Sequence, residues 1–172
     1  EPGFTRTATV VTDRQQGRLV LAGLRDLTLL NTTRSEFAGF ARDRYTTLPE
    51  TADRVLATSV TARWSYREPG THDWAGCFDR ARTALVEAFA DTYSHSLQQT
   101  LYAMGERVLR ALPEADQVRL VLPNRHHFLV DLQPFGLANE NEVYLAADRP
   151  YGVIEGAVLA DDAVPGGQLP WD

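Results

Sequence analysis

This sequence has few of the features on which export, membrane and metal proteins depend. Its single cysteine, Cys77, cannot form a disulfide within the chain. No apolar run approaches the roughly 20 residues that cross a bilayer, and the chain opens with Glu1-Pro2-Gly3 instead of a basic and apolar leader. We therefore expect a protein of a reducing cytoplasm, with no membrane partner.

An excess of positive charge is also missing. The formal net charge is -6 and the pI is about 5.2, and no stripe of basic residues occurs, which argues against nucleic acid as a partner. The composition, 44% hydrophobic and 23% charged, is that of a soluble globular chain. We expect one domain over residues 1–160, followed by a tail over 161–172 that is flexible or contacts another chain.

Several motifs for cofactors and metals are absent. The sequence has no Gly-x-Gly-x-x-Gly and no phosphate loop, so a nucleotide cofactor lacks support. Composition leaves Ser/His/Asp hydrolysis open, but no Gly-x-Ser-x-Gly elbow occurs. His126 and His127 are adjacent, and neighbouring strand residues face opposite ways; no His-x-x-x-His or Cys-x-x-Cys supplies another pair. We predict no metal site.

Hydrophobic periodicity predicts an α+β fold. Period-two patterns and Val, Leu and Thr content predict strands at 5–11, 18–30, 56–66, 117–122 and 126–132, with shorter ones at 143–146 and 152–159. Apolar residues at three- and four-residue steps predict helices over 73–92 and from Ser96 to Pro113, with Ser96 and Gln99 as a capping box. The order favours an antiparallel β-sheet with two helices packed on one face.

Polar and aromatic residues that suit a flat, anionic ligand lie in three places. In an extended chain Asn124 and His126 face the same way and His127 the other. Phe37 offers an aromatic face within a long excursion over residues 31–52, and Arg54, two residues after its end, offers a guanidinium fork. Structural alternatives stay open: a turn and a surface histidine, a core Phe37, an ion pair of Arg54 with Glu50 or Asp53, and Gln98 as a helix cap.

Five segments together resemble the urate oxidase (uricase) family, bacterial type. They are SEFAGF at 35–40, RDRYTTLPETADR at 42–54, LATSV at 56–60, QQTLYAM at 98–104 and LPNRHHF at 122–128. NEV at 141–143 and ADRPYG at 147–152 extend the likeness. Arg125 replaces the usual Lys, and Ala38 a bulkier residue, without removing a role.

The resemblance implies a tunnelling fold (T-fold, ββααββ-like), of which this chain is the C-terminal half, assembling into a barrel with partner domains and a tetramer. It implies that Phe37 stacks on the purine, that Arg54 and Gln98 clamp its edges, and that Leu97 adds a backbone contact. It also implies that Asn124 helps to hold dioxygen and the substrate, and that His126 belongs to the proton relay.

The family's chemistry is oxidation of urate by dioxygen to 5-hydroxyisourate and hydrogen peroxide, without a cofactor. The Lys and Thr of its relay belong to the N-terminal half, and this sequence contains no lysine. We therefore expect the chain alone to be inactive and its site to be completed by an N-terminal-half domain on another chain, in a hetero-oligomer. Two alternatives remain: a non-catalytic purine-binding or assembly subunit, and a related T-fold enzyme acting on pterins.

Overall fold

The computed structural model describes residues 3–14, 17–68, 70–147 and 151–163. Seven strands and two long helices occur there, with a short 3-10 helix at Gln133–Phe135. In chain order they are β1 (Thr5–Asp13), β2 (Gly17–Asn31), β3 (Leu56–Tyr66), α1 (Trp74–Asp91), α2 (Leu97–Ala111), β4 (Ala115–Pro123), β5 (His127–Leu129), β6 (Tyr144–Ala146) and β7 (Val153–Leu159).

The strands form one large antiparallel sheet and one small one. The large sheet has the order β1-β2-β3-β4-β7, and β5 and β6 pair separately as a two-stranded arm. The two helices pack on the large sheet, α1 against β2 and α2 against β4 and β7. The predicted α+β fold is confirmed, although the strand predicted at 126–132 ends at Leu129.

Strand β3 shows why the sequence folds this way. Val60, Ala62 and Trp64 alternate along it and have no exposed surface, whereas Thr61 and Arg63 between them are half-buried. The indole Nε1 of Trp64 donates to the hydroxyl of Tyr66 at 3.1 Å, so the one polar group of that ring has a partner. The predicted bounds of this strand, 56–66, are those of the structure.

Both predicted helical stripes form the other wall of the core. Their members are all buried: Phe78, Ala81, Leu85 and Phe89 on α1, and Leu97, Leu101, Met104, Val108 and Leu112 along α2 and at its C-cap. Helix α2 approaches β7 closely because Gly105 has no side chain; a Cβ there would lie 2.6 Å from Cγ2 of Val158.

The capping box at the start of α2 is half formed. The Ser96 hydroxyl accepts from the backbone N–H of Gln99 at 3.1 Å, as predicted. The Gln99 amide oxygen, however, accepts from the N–H of His95 at 3.3 Å and not from that of Ser96. The reciprocal contact therefore reaches one residue further back along the chain.

Some sequence predictions fall outside the described residues. Pro69 of the predicted turn, residues 148–150 of the late motif and residues 164–172 of the tail are among them. The predicted domain boundary stays a prediction. At the start of the tail, Asp162 makes a two-pronged ion pair with Arg67. None of the helices in the described ranges has the length and apolar character that crossing a membrane requires.

Candidate active site

A cavity of about 480 Å³ lies where the excursion after β2, the start of α2 and the end of β4 meet. Its volume is in the range of small-molecule sites. Every residue predicted from the sequence to contact the ligand lines it: Phe37, Arg54, Leu97, Gln98, Asn124 and His126. The fold therefore brings together side chains from distant stretches of sequence.

Phe37 and Arg54 are placed by a short extended ribbon within the excursion. Phe37 and Thr51 exchange backbone hydrogen bonds of 2.8 and 3.1 Å, and the Arg54 N–H donates to the Ser35 carbonyl at 2.9 Å. This pairing brings the Arg54 guanidinium carbon to 5.2 Å from the centre of the Phe37 ring. Phe37 is half-buried and lies outside the main core; Phe40 stacks on one face of its ring with centres 4.9 Å apart, and Phe37 also lines the cavity.

Arg54 is a half-buried cation that makes no ion pair with any described residue. Its Nε donates to the Ser35 hydroxyl at 3.2 Å, while Glu50 accepts instead from the Gly39 N–H at 3.0 Å. The ion pair with Glu50 or Asp53 is therefore not formed. Burial lowers the pKa of Arg54, because desolvation disfavours the charged form. An anion in the cavity would supply the missing counter-charge.

The N-terminus of α2 offers amide donors to the same cavity. Gln98 is exposed, and its side-chain amide makes no hydrogen bond to the described part of the chain. The cap is Ser96, not Gln98. The N–H groups of Leu97 and Gln98 lie in the first helical turn, where no carbonyl of the helix can accept from them. The helix dipole adds partial positive charge there, which favours a negatively charged ligand.

The loop after β4 places Asn124 and His126 in the wall of the same cavity. Backbone bonds anchor this loop: the Asn124 N–H donates to Gly152 at 2.8 Å and the Arg125 N–H to Ala57 at 2.9 Å. The His126 ring stacks on Phe128 with centres 5.8 Å apart. Neither the Asn124 amide nor the His126 ring bonds to another described residue, so both are available to a ligand.

His127 lines the cavity together with His126, and its Nδ1 lies 3.2 Å from the Arg125 carbonyl oxygen. The predicted direction of its side chain stays a prediction. The strict alternation assumed for this stretch requires a strand, and β5 begins only at His127. The backbone before it is irregular. Within the described ranges, no three His, Cys, Asp or Glu side chains converge as metal ligands do.

Sequence reasoning missed part of the wall. Leu48, Pro49 and Thr51 line the cavity and belong to the long excursion. The length of the excursion indicated a functional segment, but it did not predict which of its residues line a cavity. Asn141 and Tyr144 come from the β6 side of the arm, and no local pattern marks them. They reach the cavity because β6 pairs with β5, with Tyr144 opposite Leu129.

Comparison with known proteins gives a consistent family likeness. A family model described as Uricase matches residues 20–155. The chain is 54% identical over 139 residues to the uricase of Arthrobacter globiformis, covering 81% of this chain and 46% of that protein. It is 39% identical over 152 residues to the uricase of Dictyostelium discoideum, covering 88% of this chain and 53% of that protein.

Comparison with solved structures gives the same family likeness. The crystal structure of uricase from Arthrobacter globiformis superimposes with a TM-score of 0.93 at 46% identity, covering 98% of this chain and 58% of the other. A urate oxidase structure from Bacillus sp. TB-90 gives a TM-score of 0.76 at 25% identity, covering 93% and 56%. The chain spans about half the length of the relatives it matches.

Proposed function

This chain belongs to the uricase family, and we propose that it carries the substrate-binding half of a site that oxidises urate with dioxygen to 5-hydroxyisourate and hydrogen peroxide. The arrangement of the cavity wall is the observation that supports this most directly. A half-buried arginine with no ion pair to a described residue and an amide with no hydrogen bond to one surround one space together with an aromatic ring. A flat anion with polar edges uses all three.

In the proposed complex the purine ring stacks on Phe37, and the Arg54 guanidinium and the Gln98 amide bind its edges. The N–H groups at the start of α2, including that of Leu97, donate to its oxygens. Arg54 stabilises the urate anion because an arginine charge is worth more in a partly desolvated site than in water. These residues therefore orient the substrate and favour its electron-rich, deprotonated form.

Turnover requires that urate lose two protons and two electrons, that dioxygen take up both to become hydrogen peroxide, and that water add to the oxidised ring. One urate, one dioxygen and one water together contain the same atoms as one 5-hydroxyisourate and one hydrogen peroxide. We assign Asn124 to hold dioxygen or water above the ring, and His126 to pass protons, since both side chains are available on the cavity wall. The proposed chemistry needs no metal or organic cofactor.

The remaining part of the relay is proposed to come from an N-terminal-half uricase domain on another chain. The sequence contains no lysine to act as the base. The cavity wall is also incompletely covered, because Phe128 and Leu129 line it and are nonetheless 49% and 47% exposed. Both observations support a site completed by a second domain in an oligomer.

Reconstitution tests this proposal. The chain is expressed alone and together with an N-terminal uricase half, and the loss of urate absorbance and the uptake of oxygen are measured. We expect no turnover by the chain alone, because the deprotonating group is missing, and consumption of both substrates by the assembly. Full activity of the isolated chain would show that no partner domain is needed.

The absence of lysine favours one alternative, a non-catalytic subunit that binds purines or supports assembly. Titration calorimetry of the assembly with urate separates the two functions. Binding without oxygen uptake would favour the alternative, whereas an assembly that neither binds nor consumes urate would overturn both.

A further inference from the structure

Two of the proposed substrate contacts, Phe37 and Gln98, come from segments about 60 residues apart that meet beside the cavity. The meeting point is a parallel bridge between Ser35 and Ser94. Its backbone bonds run from the Glu36 N–H to the Ser94 carbonyl at 2.8 Å and from the Ser94 N–H to the Arg34 carbonyl at 3.0 Å. The separation of the aromatic face and the amide therefore depends on this contact.

The side chain of Glu36 reinforces the bridge. One carboxylate oxygen accepts from the Tyr93 hydroxyl at 2.8 Å, and the other lies 2.6 Å from Nδ1 of His95. The rings of Tyr93 and His95 also contact each other, with centres 5.2 Å apart. We call these three residues the Glu36 clasp. It joins the ribbon that carries Phe37 to the segment that leads into α2.

The clasp lies outside the cavity. Glu36 precedes Phe37 in an extended ribbon, so the two side chains point to opposite sides, and neither Glu36, Tyr93 nor His95 lines the cavity. Hydrogen bonds from His95 and Tyr93 lower the pKa of Glu36 and so favour its charged form, and the bond to Glu36 raises the pKa of Tyr93. Charge-assisted bonds of this kind are stronger than neutral ones.

We propose that Glu36 is a positioning residue, whose clasp on Tyr93 and His95 holds Phe37 and Gln98 at the separation that a bound purine requires. This inference rests on the proposed function. A clasp that sets geometry around the bound ring acts on substrate affinity, and it leaves the binding of dioxygen at Asn124 and proton transfer at His126 untouched. Its signature is a change in Kd and KM with kcat retained.

The test compares Glu36→Ala with a matched control in the assembly that contains both uricase halves. The control is Glu106→Ala, which removes another exposed carboxylate that is ion-paired at 2.7 Å, with Arg110 on α2. Urate affinity is measured by calorimetry without oxygen, and KM and kcat are measured with oxygen. For Glu36→Ala we expect Kd and KM to rise roughly fivefold, the upper range for a solvent-exposed charged pair, with kcat within about twofold. Glu106→Ala should match the wild type.

Two further variants keep the test decisive if Glu36→Ala does not fold. Tyr93→Phe removes one donor and keeps the ring. Glu36→Gln keeps one uncharged acceptor oxygen and replaces the other with an amide NH2, which can only donate. Both should raise Kd by less than Glu36→Ala does. Wild-type Kd in these variants, or a fall in kcat at unchanged Kd, would overturn the inference while urate oxidation by the wild type stands. A wild-type assembly that does not bind urate would overturn the proposed function and this inference with it.

Discussion

At the scale of single residues, the environment of Arg54 decides between roles that its sequence leaves open. Carboxylates at Glu50 and Asp53 are close in the chain, so a surface ion pair is a reasonable expectation. No ion pair forms in the described part of the chain: Glu50 binds the Gly39 N–H, and the Arg54 side chain binds Ser35 and lies over Phe37. A half-buried cation with this environment is a candidate for binding an anionic ligand.

Replacing Arg54 tests this role. We expect Arg54→Gln to lower kcat/KM for urate in the assembly by roughly 100-fold, because hydrogen bonds to a charged group are each worth about 1.5–3 kcal/mol. Arg54→Lys should recover only part of this loss, since it keeps the charge and loses the planar fork. Steady-state oxygen uptake measures both. Arg44→Gln, in the same excursion but outside the cavity wall, is the control; an equal loss there would contradict a specific role.

At the scale of elements, α2 serves both the core and the site. The apolar side chains of its buried stripe pack against the sheet, and Leu97 and Gln98 in its first turn line the cavity. The position of that first turn therefore depends on how closely the rest of the helix approaches β7. Gly105 sets this approach, at the expense of helix propensity.

We expect Gly105→Ala to lower the free energy of unfolding by about 1–2 kcal/mol. Overpacking destabilises the folded state by about 1–3 kcal/mol, and the higher helix propensity of alanine offsets at most about 1 kcal/mol of this. Urea unfolding followed by circular dichroism measures the change. Gly70→Ala, where a Cβ meets nothing within 4 Å, should be close to neutral. A stabilised Gly105→Ala protein would show that the helix can move away from Val158 without loss.

At the scale of the whole molecule, apolar side chains are exposed on β6 and on the segment that joins β5 to β6. Phe135, Leu137 and Leu145 are 76%, 60% and 60% exposed. Exposed apolar side chains within one short stretch of chain are candidates for contact with another chain. This fits the proposal that a second domain completes the site.

A charge on the arm should weaken that assembly. We expect Leu145→Glu to leave the isolated chain folded and to reduce its association with an N-terminal uricase half at least roughly tenfold, because an unpaired charge resists burial in an interface. Sedimentation velocity across a concentration series measures the association. Tyr102→Glu, an equally exposed position on α2, should associate normally. Unchanged association of Leu145→Glu would exclude the arm from the interface.

Local pattern was sufficient to predict most elements. The alternation in β3 and the stripes of α1 and α2 follow from burying one face against the other layer, so each segment carries its own period in its sequence. The motifs that resemble uricase likewise pointed to residues that the structure brings to a single cavity. Their individual roles in binding and proton transfer stay predictions.

Only the tertiary structure decided how distant segments of the chain lie relative to one another. The place of His127 in the cavity wall, the entry of Asn141 and Tyr144 into that wall and the Glu36 clasp each depend on how separate pieces of backbone meet. The sequence determined the core, because burial acts on every residue of an element with one repeating period. The sequence could not determine the surroundings of the site, because contacts between irregular loops produce no repeating hydrophobic pattern in the sequence.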